Sequence, residues 1–280
     1  MNWKKLQNGS DIRGVALEGI EGEHVNLTPE VIETIAKSFV RWIRNTIDCQ
    51  TPKIAVGTDS RLSGSTIKGA FVKGAVEAGA DVVDCGLAST PAMFMTTVND
   101  EVQATASVMV TASHLPYNRN GLKFFTPKGG LDSSDIAAIL DIAERADYGY
   151  DGAAGSSDRL DFMDIYSRHI ADYICQGVQA DDYQHPLKGM HIVVDAGNGG
   201  GGFFEKILSQ LGADTQGSLF LDPDGRFPNH IPNPENAEAM ASVCRAVADS
   251  NADLGVIFDT DVDRSAIIGR KGEPINRNSL

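Results

Sequence analysis

Short apolar runs alternate with amphipathic helical periods along this chain, and that alternation confines it to an α/β fold. Lys53 to Gly57 (KIAVG) reads as a buried strand. The next period puts Ile67, Ala70, Phe71, Gly74 and Ala78 on one helical face, with Ser63 as N-cap and Gly79 as stop. Asp81 to Cys85 and Ser107 to Val110 read as strands, Gly121 to Thr126 as another, and Ser133 to Ala146 as a helix. Tyr148 to Ser157 (YGYDGAAGSS) is rich in Gly and Ser without periodicity, the signature of a linker. Beyond it a helix is expected from Asp158 to Gln176, and a strand from His191 to Val194 ends at Asp195. Asn198 to Gly202 turns the chain into a helix ending near Leu211. Asn233 and Pro234 form a cap and first-turn pair for a helix carrying Met240, Val243, Cys244, Val247 and Ala248 on one face. Leu254 to Phe258 (LGVIF) is a strand that delivers Asp259, and Ser265 to Gly269 is its partner. The outcome is two similar α/β units, at about residues 1–150 and 151–270, with 271–280 opening something further. Gly272-Glu273 reads as a hairpin turn there, and Asn276 to Leu280 as the start of a helix.

A chain of 280 residues is long enough for two domains. Its formal charge of −14 argues against nucleic acid or an anionic membrane as partner. An acidic protein that binds phosphorylated molecules must gather cations locally. Arg13, Arg61, Arg119, Lys123 and Arg264 stand near Gly-rich or acidic loops and are the candidates. Cys49, Cys85, Cys175 and Cys244 are scattered with no Cys-x-x-Cys pair, so they read as reduced thiols of a cytoplasmic protein. The first residues lack an apolar signal-peptide core, and no apolar run approaches the roughly 20 residues of a membrane span.

Two loops carry the chemistry. Asp259, Asp261 and Asp263 follow an apolar strand, and carboxylates at alternating positions of an extended loop converge on one cation. Three such oxygens suit a hard ion such as Mg²⁺, with a phosphate oxygen completing the shell and Arg264 beside it. The bland reading is a solvated acidic turn. Thr111 to Pro116, followed by Asn120-Gly121-Leu122-Lys123, puts a serine hydroxyl in a polar turn ahead of a lysine. Ser113 beside His114 is by itself a polar turn rather than a catalytic pair, and there is no Gly-x-Ser-x-Gly elbow. The Asn198–Gly202 run lacks the Gly-Lys-Ser/Thr ending of a P-loop and reads as close backbone packing. His24, His169, His185 and His191 lack partners at metal-ligand spacing; His230 either lies near a site or fixes a Pro-rich loop.

Taken together these segments resemble the α-D-phosphohexomutases, the phosphomannomutase and phosphoglucomutase superfamily. Ser10-Asp11-Ile12-Arg13-Gly14 resembles the family's Tyr-Asp-Ile-Arg-Gly, and Gly57-Thr58-Asp59-Ser60-Arg61 its Gly-Arg-Asp-Ser-Arg. Thr111 to Lys123 resembles its phosphoserine loop, Thr-Ala-Ser-His-Asn-Pro onward to Asn-Gly-Phe-Lys. Asp259 to Arg264 resembles its Asp-Gly-Asp-Gly-Asp-Arg metal loop, and Phe227 to Pro234 a further family segment. Leu115 departs from the serine-loop Asn, and Thr260 and Val262 depart from metal-loop glycines. The family's Gly-Glu-x-Ser-Gly-His and Arg-x-Ser-Gly-Thr segments do not occur.

The resemblance implies two three-layer α/β/α domains with mixed sheets, the first half of a four-domain architecture. It implies a Mg²⁺-dependent mutase of carbohydrate metabolism that moves phosphate between C6 and C1 of a glucose or mannose phosphate through a hexose 1,6-bisphosphate. Ser113 would be phosphorylated and would join Asp259, Asp261 and Asp263 as a metal ligand. Lys123 would be the acid–base group with Arg13 close by, His114 would support the loop, and Arg264 and Arg61 would bind phosphate and steady the serine loop. The substrate-selecting half would lie outside these residues. Hexose phosphates are the expected partners, and a homodimer is compatible. Two other readings stand beside this one: a haloacid-dehalogenase-type phosphatase with Asp259 as nucleophile, and a non-catalytic phosphosugar-binding module.

Overall fold

The computed structural model describes residues 2–275; the helix expected from Asn276 lies outside them. The chain divides into two compact units, one up to Phe162 and one from Met163 onward.

The first unit is built on a mixed sheet. A short pair, β1 (Gln7–Asn8) and β2 (Asp11–Val15), precedes helix α1 (Pro29–Ile47). Then come β3 (Lys53–Thr58), α2 (Gly64–Glu77), β4 (Asp81–Leu87), α3 (Thr90–Met95) and β5 (Ala106–Val110). The unit continues with β6 (Arg119–Thr126), β7 (Gly129–Gly130), α4 (Ser133–Arg145) and β8 (Ser157–Arg159). Strand order is β1-β2-β6-β5-β3-β4-β8, with β7 on β6. Strand alternation decides the layers. Ile54, Val56, Val108, Val110, Leu122 and Phe124 face α1, α2 and α4, where they meet Ile35, Phe39, Phe71 and Ile139. On the other face, α3 lays Met93 beside β3 and takes a hydrogen bond from the Ser107 hydroxyl on its carbonyl (2.6 Å).

The longest helix, α1, is absent from the sequence reading, although its start is signalled: Thr28 caps it and Pro29 opens it. Two expected boundaries also differ. The helix expected from Asp158 begins at Phe162, as α5 (Phe162–Val178), because Ser157–Arg159 instead pairs in parallel with β4 as an edge strand. The end of the Gly/Ser-rich segment is likewise tied to the first unit, with Ser156 donating to Asp81 through its N–H (2.9 Å) and hydroxyl (2.8 Å).

The second unit carries β9 (Ile192–Asp195), α6 (Phe203–Gln210), α7 (Ala237–Ser250), β10 (Leu254–Phe258) and β11 (Ser265–Gly269). Its sheet, in the order β11-β10-β9, pairs β9 and β10 in parallel and β10 and β11 antiparallel. Val194, Val256 and Phe258 pack with α5 and α6 through Cys175, Ile207 and Leu208. Their neighbours Val193 and Ile257 point the other way, onto Val243 and Val247 of α7. Both units are therefore α/β/α with mixed sheets, though the named strands number eight in one and three in the other. The cap of α7 is Asn236, not Asn233: its side chain accepts from Glu238 and Ala239 N–H, each at 3.0 Å. The Gly272-Glu273 turn forms, with Gly269 N–H donating to the Glu273 carbonyl (2.8 Å). All four cysteines are free thiols, and burial pushes the Cys85 thiol up to about 12. No helix among the described residues is long and apolar enough to cross a membrane.

Phe39 is the centre of the first core. It is fully buried and lies 4.7 Å from the Phe124 ring, 5.9 Å from Trp42 and 6.3 Å from Phe71. Phe39→Ala should lower the stability of this unit by about 3–5 kcal/mol in urea unfolding, and Phe39→Leu by distinctly less.

Candidate functional site

In the first unit, β3 and β5 lie side by side in parallel and end together, with Thr58 opposite Val110. The loops that leave them are therefore neighbours. Asp59, fully enclosed, accepts the Thr111 hydroxyl on Oδ2 (2.7 Å) and the Arg61 N–H on Oδ1 (3.0 Å). The Arg61 Nε lies 3.3 Å from the same carboxylate. The rest of the Arg61 guanidinium donates to four carbonyls of the serine loop: Pro116 (2.7 Å), Arg119 (3.0 Å), Leu115 (2.7 Å) and Ser113 itself. The sequence reading puts Arg61 among substrate-binding groups. The resemblance also gives it the role of steadying the serine loop, and these four contacts, with 3% exposure, are such a hold.

Ser113 sits in the left-handed region at φ +52°. Its N–H donates to Thr111 Oγ1 (2.9 Å), and its Oγ lies 3.5 Å from His114 Nδ1. The adjacent Ser–His pair does meet side by side, because the left-handed residue bends the chain. In the neighbouring strand, β6 pairs Leu122 with Val110 and Lys123 with Met109. Since Leu122 faces the α1 core, Lys123 faces the opposite side, as do Asp11 and Arg13 of β2. Arg13 is held there by Asp11 Oδ2, at 3.2 Å from Nε and 2.7 Å from Nη2. Lys123 is 9% exposed. Gly121, opposite Arg13 in the register of β2 and β6, admits no side chain: a Cβ would sit 2.3 Å from the Ile12 carbonyl oxygen. Arg119 pairs with Glu23 through Nε (3.0 Å) and Nη2 (2.5 Å), and that contact pulls the Glu23 carboxyl below its ordinary value.

The second unit repeats the arrangement with parallel β9 and β10. Asp259 and Asp261 are fully buried at the end of β10, and Asp263 is exposed. One carboxylate oxygen from each lies within 4.8 Å of the others. Arg264 turns back to Asp259, donating from Nε (3.1 Å) and Nη2 (2.7 Å) to Oδ2 and from its N–H to Oδ1 (3.1 Å). It also lies 3.6 Å from Asp263 Oδ1 and donates to Asn233 Oδ1 (3.4 Å). When all three are ionised, the carboxylates exceed the Arg264 guanidinium by two negative charges. Burial, and then the charges of Asp261 and Asp263, push Asp259 up to about 8 despite Arg264. A divalent cation would remove that excess, and an all-carboxylate oxygen set suits a hard one. The residues fit such an ion.

The glycine run packs under this loop. Gly200 N–H donates to the Thr260 carbonyl (2.8 Å), and a Cβ on Gly199 would come 2.8 Å from the same oxygen. Beside it, Asp195 accepts from His230 Nε2 at 3.0 Å on both oxygens, and His230 Nδ1 donates to the Ile231 carbonyl (3.0 Å). Burial pulls the His230 pKa down, but the Asp195 hydrogen bond and charge outweigh it and raise it. Asp59, Thr111 and Asp195 are the groups that sequence reasoning missed. For the two aspartates the available signal was an acidic residue at the end of an apolar strand.

Residues 4–149 match the family described as phosphoglucomutase/phosphomannomutase, alpha/beta/alpha domain I, and residues 164–272 match its alpha/beta/alpha domain II. The chain belongs to the phosphoglucomutase/phosphomannomutase family. A phosphoglucomutase of Neisseria meningitidis serogroup B is 31% identical over 95% of this chain and 53% of its own length. A phosphomannomutase/phosphoglucomutase of Pseudomonas aeruginosa is 30% identical over 89% of this chain and 52% of its own. Among solved structures, a phosphoglucomutase/phosphomannomutase family protein of Burkholderia thailandensis superposes with a TM-score of 0.78 at 28% identity, covering 95% of this chain and 55% of that one. The chain thus spans about half the length of the curated relatives it matches.

Two of the departures from the phosphoglucomutase/phosphomannomutase pattern, Thr260 and Val262, fall on the acidic loop. Val262 adopts φ +65°, a conformation natural to glycine and costing a β-branched residue on the order of 1–3 kcal/mol. Thr260 is fully buried, its backbone gripped by the glycine run. The loop keeps its shape without those glycines because its neighbours impose it.

The raised Asp259 pKa sets a pH dependence. The folded state binds this proton more tightly than the unfolded chain, whose Asp titrates near 4. The stability linked to it is fully present below about pH 4 and is lost as pH rises through about 8. In chelator, urea midpoints between pH 5 and 8 should fall less in Asp259→Asn than in the parent. Equal slopes in the two proteins would mean that Asp259 ionises normally.

Proposed function

We propose that this chain takes part in moving phosphate between C6 and C1 of a hexose phosphate, glucose or mannose, with Ser113 as the phosphoryl carrier. The observation that carries the reading is the shape of the serine loop. A buried guanidinium fixes its carbonyls, and Ser113 is held in a left-handed conformation at the end of a parallel strand. Ligands of α/β folds collect at such strand ends. The names of the relatives support the substrate class.

In this reading the bond between phosphorus and Ser113 Oγ breaks as one forms to a sugar hydroxyl. The hydroxyl proton passes to Lys123, and the bisphosphorylated sugar later returns its other phosphate to Ser113. His114 steadies the serine, Arg13 lines the lysine's face of the sheet, and Arg264 contributes positive charge for phosphate. Asp259, Asp261 and Asp263 hold Mg²⁺, which when bound offsets charge on phosphoryl oxygens. The phosphatase alternative is disfavoured by Asp259 itself: both its oxygens accept from Arg264 and its side chain is buried, a poor setting for a nucleophile.

Incubation with glucose 1,6-bisphosphate and Mg²⁺ should add one phosphoryl group, mapped to Ser113 by peptide mass spectrometry. Ser113→Ala should take up none. Stable label on another residue, with Ser113 unmodified, would contradict the assignment.

A further inference from the structure

We propose that Thr111 and Asp59 are positioning residues that set the reactivity of Ser113 by closing a hydrogen-bond ring around its backbone. The proposal rests on the reading of Ser113 as the phosphoryl carrier. Both peptide groups of Ser113 are pinned. Its N–H donates to Thr111 Oγ1 (2.9 Å) and its carbonyl accepts from the Arg61 guanidinium. The two arms meet at one carboxylate: Thr111 Oγ1 donates to Asp59 Oδ2 (2.7 Å), and Arg61 approaches Asp59 through its N–H (3.0 Å) and Nε (3.3 Å).

The direction of every bond in this ring is fixed by chemistry. An amide N–H only donates and a carboxylate only accepts, so the single Thr111 proton must go to Asp59, leaving a lone pair for Ser113. Asp59, Arg61, Thr111 and Ser113 are 2%, 3%, 1% and 4% exposed, so water does not compete for these groups. A non-glycine residue at φ +52° keeps that conformation only when its surroundings impose it. Here the imposing groups are identified. They come from the ends of two strands, 52 residues apart in sequence, which parallel pairing brings together. Neither Thr111 nor Asp59 is needed as a nucleophile, acid or ligand. Their effect is to hold the backbone that aims the Ser113 hydroxyl.

The test compares the parent chain with Thr111→Val, which keeps shape and removes the hydroxyl, Thr111→Ser, which restores it, and Asp59→Asn. Ser113 phosphorylation by glucose 1,6-bisphosphate is followed by mass spectrometry, and hydrogen exchange of the Ser113 amide is followed alongside. Thr111→Val should be slower at saturating donor by roughly tenfold or more, since misplacement by an ångström costs up to about a hundredfold. Its half-saturating donor concentration should stay within about twofold, because Thr111 does not hold the donor. Its Ser113 amide should exchange faster. Thr111→Ser should return both readouts toward the parent, and Asp59→Asn should follow Thr111→Val. Parent-like rate and protection in Thr111→Val, or equal loss in Thr111→Ser, would overturn the proposal. If the parent takes up no phosphate, the phosphoryl-carrier reading fails by itself. Amide exchange then decides the ring: faster exchange in Thr111→Val upholds it, and unchanged exchange in Thr111→Val and Asp59→Asn overturns it.

Discussion

Parallel pairing of adjacent strands is the constraint on which each unit's chemistry depends. Because β3 and β5 run the same way and end in register, Asp59 and the serine loop leave the sheet at one edge. Because β9 and β10 run the same way, the glycine turn after Asp195 and the acidic loop after Phe258 do likewise. An antiparallel pair would have sent these loops to opposite edges. Helices on both faces make parallel strands affordable, since they bury the strands' continuous apolar runs.

The two loops then solve opposite electrostatic problems. In the first unit a buried carboxylate meets a buried guanidinium, and the remaining donors of that guanidinium are absorbed by backbone carbonyls. Charge is balanced within the protein, and the result is a fixed loop. In the second unit three carboxylates face one guanidinium, and the imbalance shows in the raised pKa of Asp259. Folding tolerates that imbalance because the loop is clamped by the glycine run and because Arg264 chelates the fully buried Asp259 carboxylate. One unit thus carries a fixed loop, and the other a loop with excess negative charge.

Much of this was legible in the sequence because it is local. Apolar runs gave β3, β5, β9 and β10, and the alternating carboxylates gave the acidic loop. The glycine run was correctly read as close packing. At the two loops, what escaped was non-local. Asp59 and Thr111 are ordinary turn residues until strand pairing joins them. The sequence does not show that the Arg61 donors go to carbonyls of the serine loop. Ser157–Arg159 is exposed throughout, so no apolar alternation marked it as a strand. Asn233 looked like a cap, but its side-chain oxygen is engaged by Glu235 N–H and Arg264, and Asn236 takes the role.

The central claim is that the acidic loop is built for one hard divalent cation, and calorimetric titration of Mg²⁺ tests it most directly. The phosphorylated chain should bind one equivalent, and Asp261→Asn, which removes a buried charged ligand, should bind far more weakly. If Asp261→Asn binds Mg²⁺ like the parent, the three carboxylates are not the metal site and the account of the second unit is wrong.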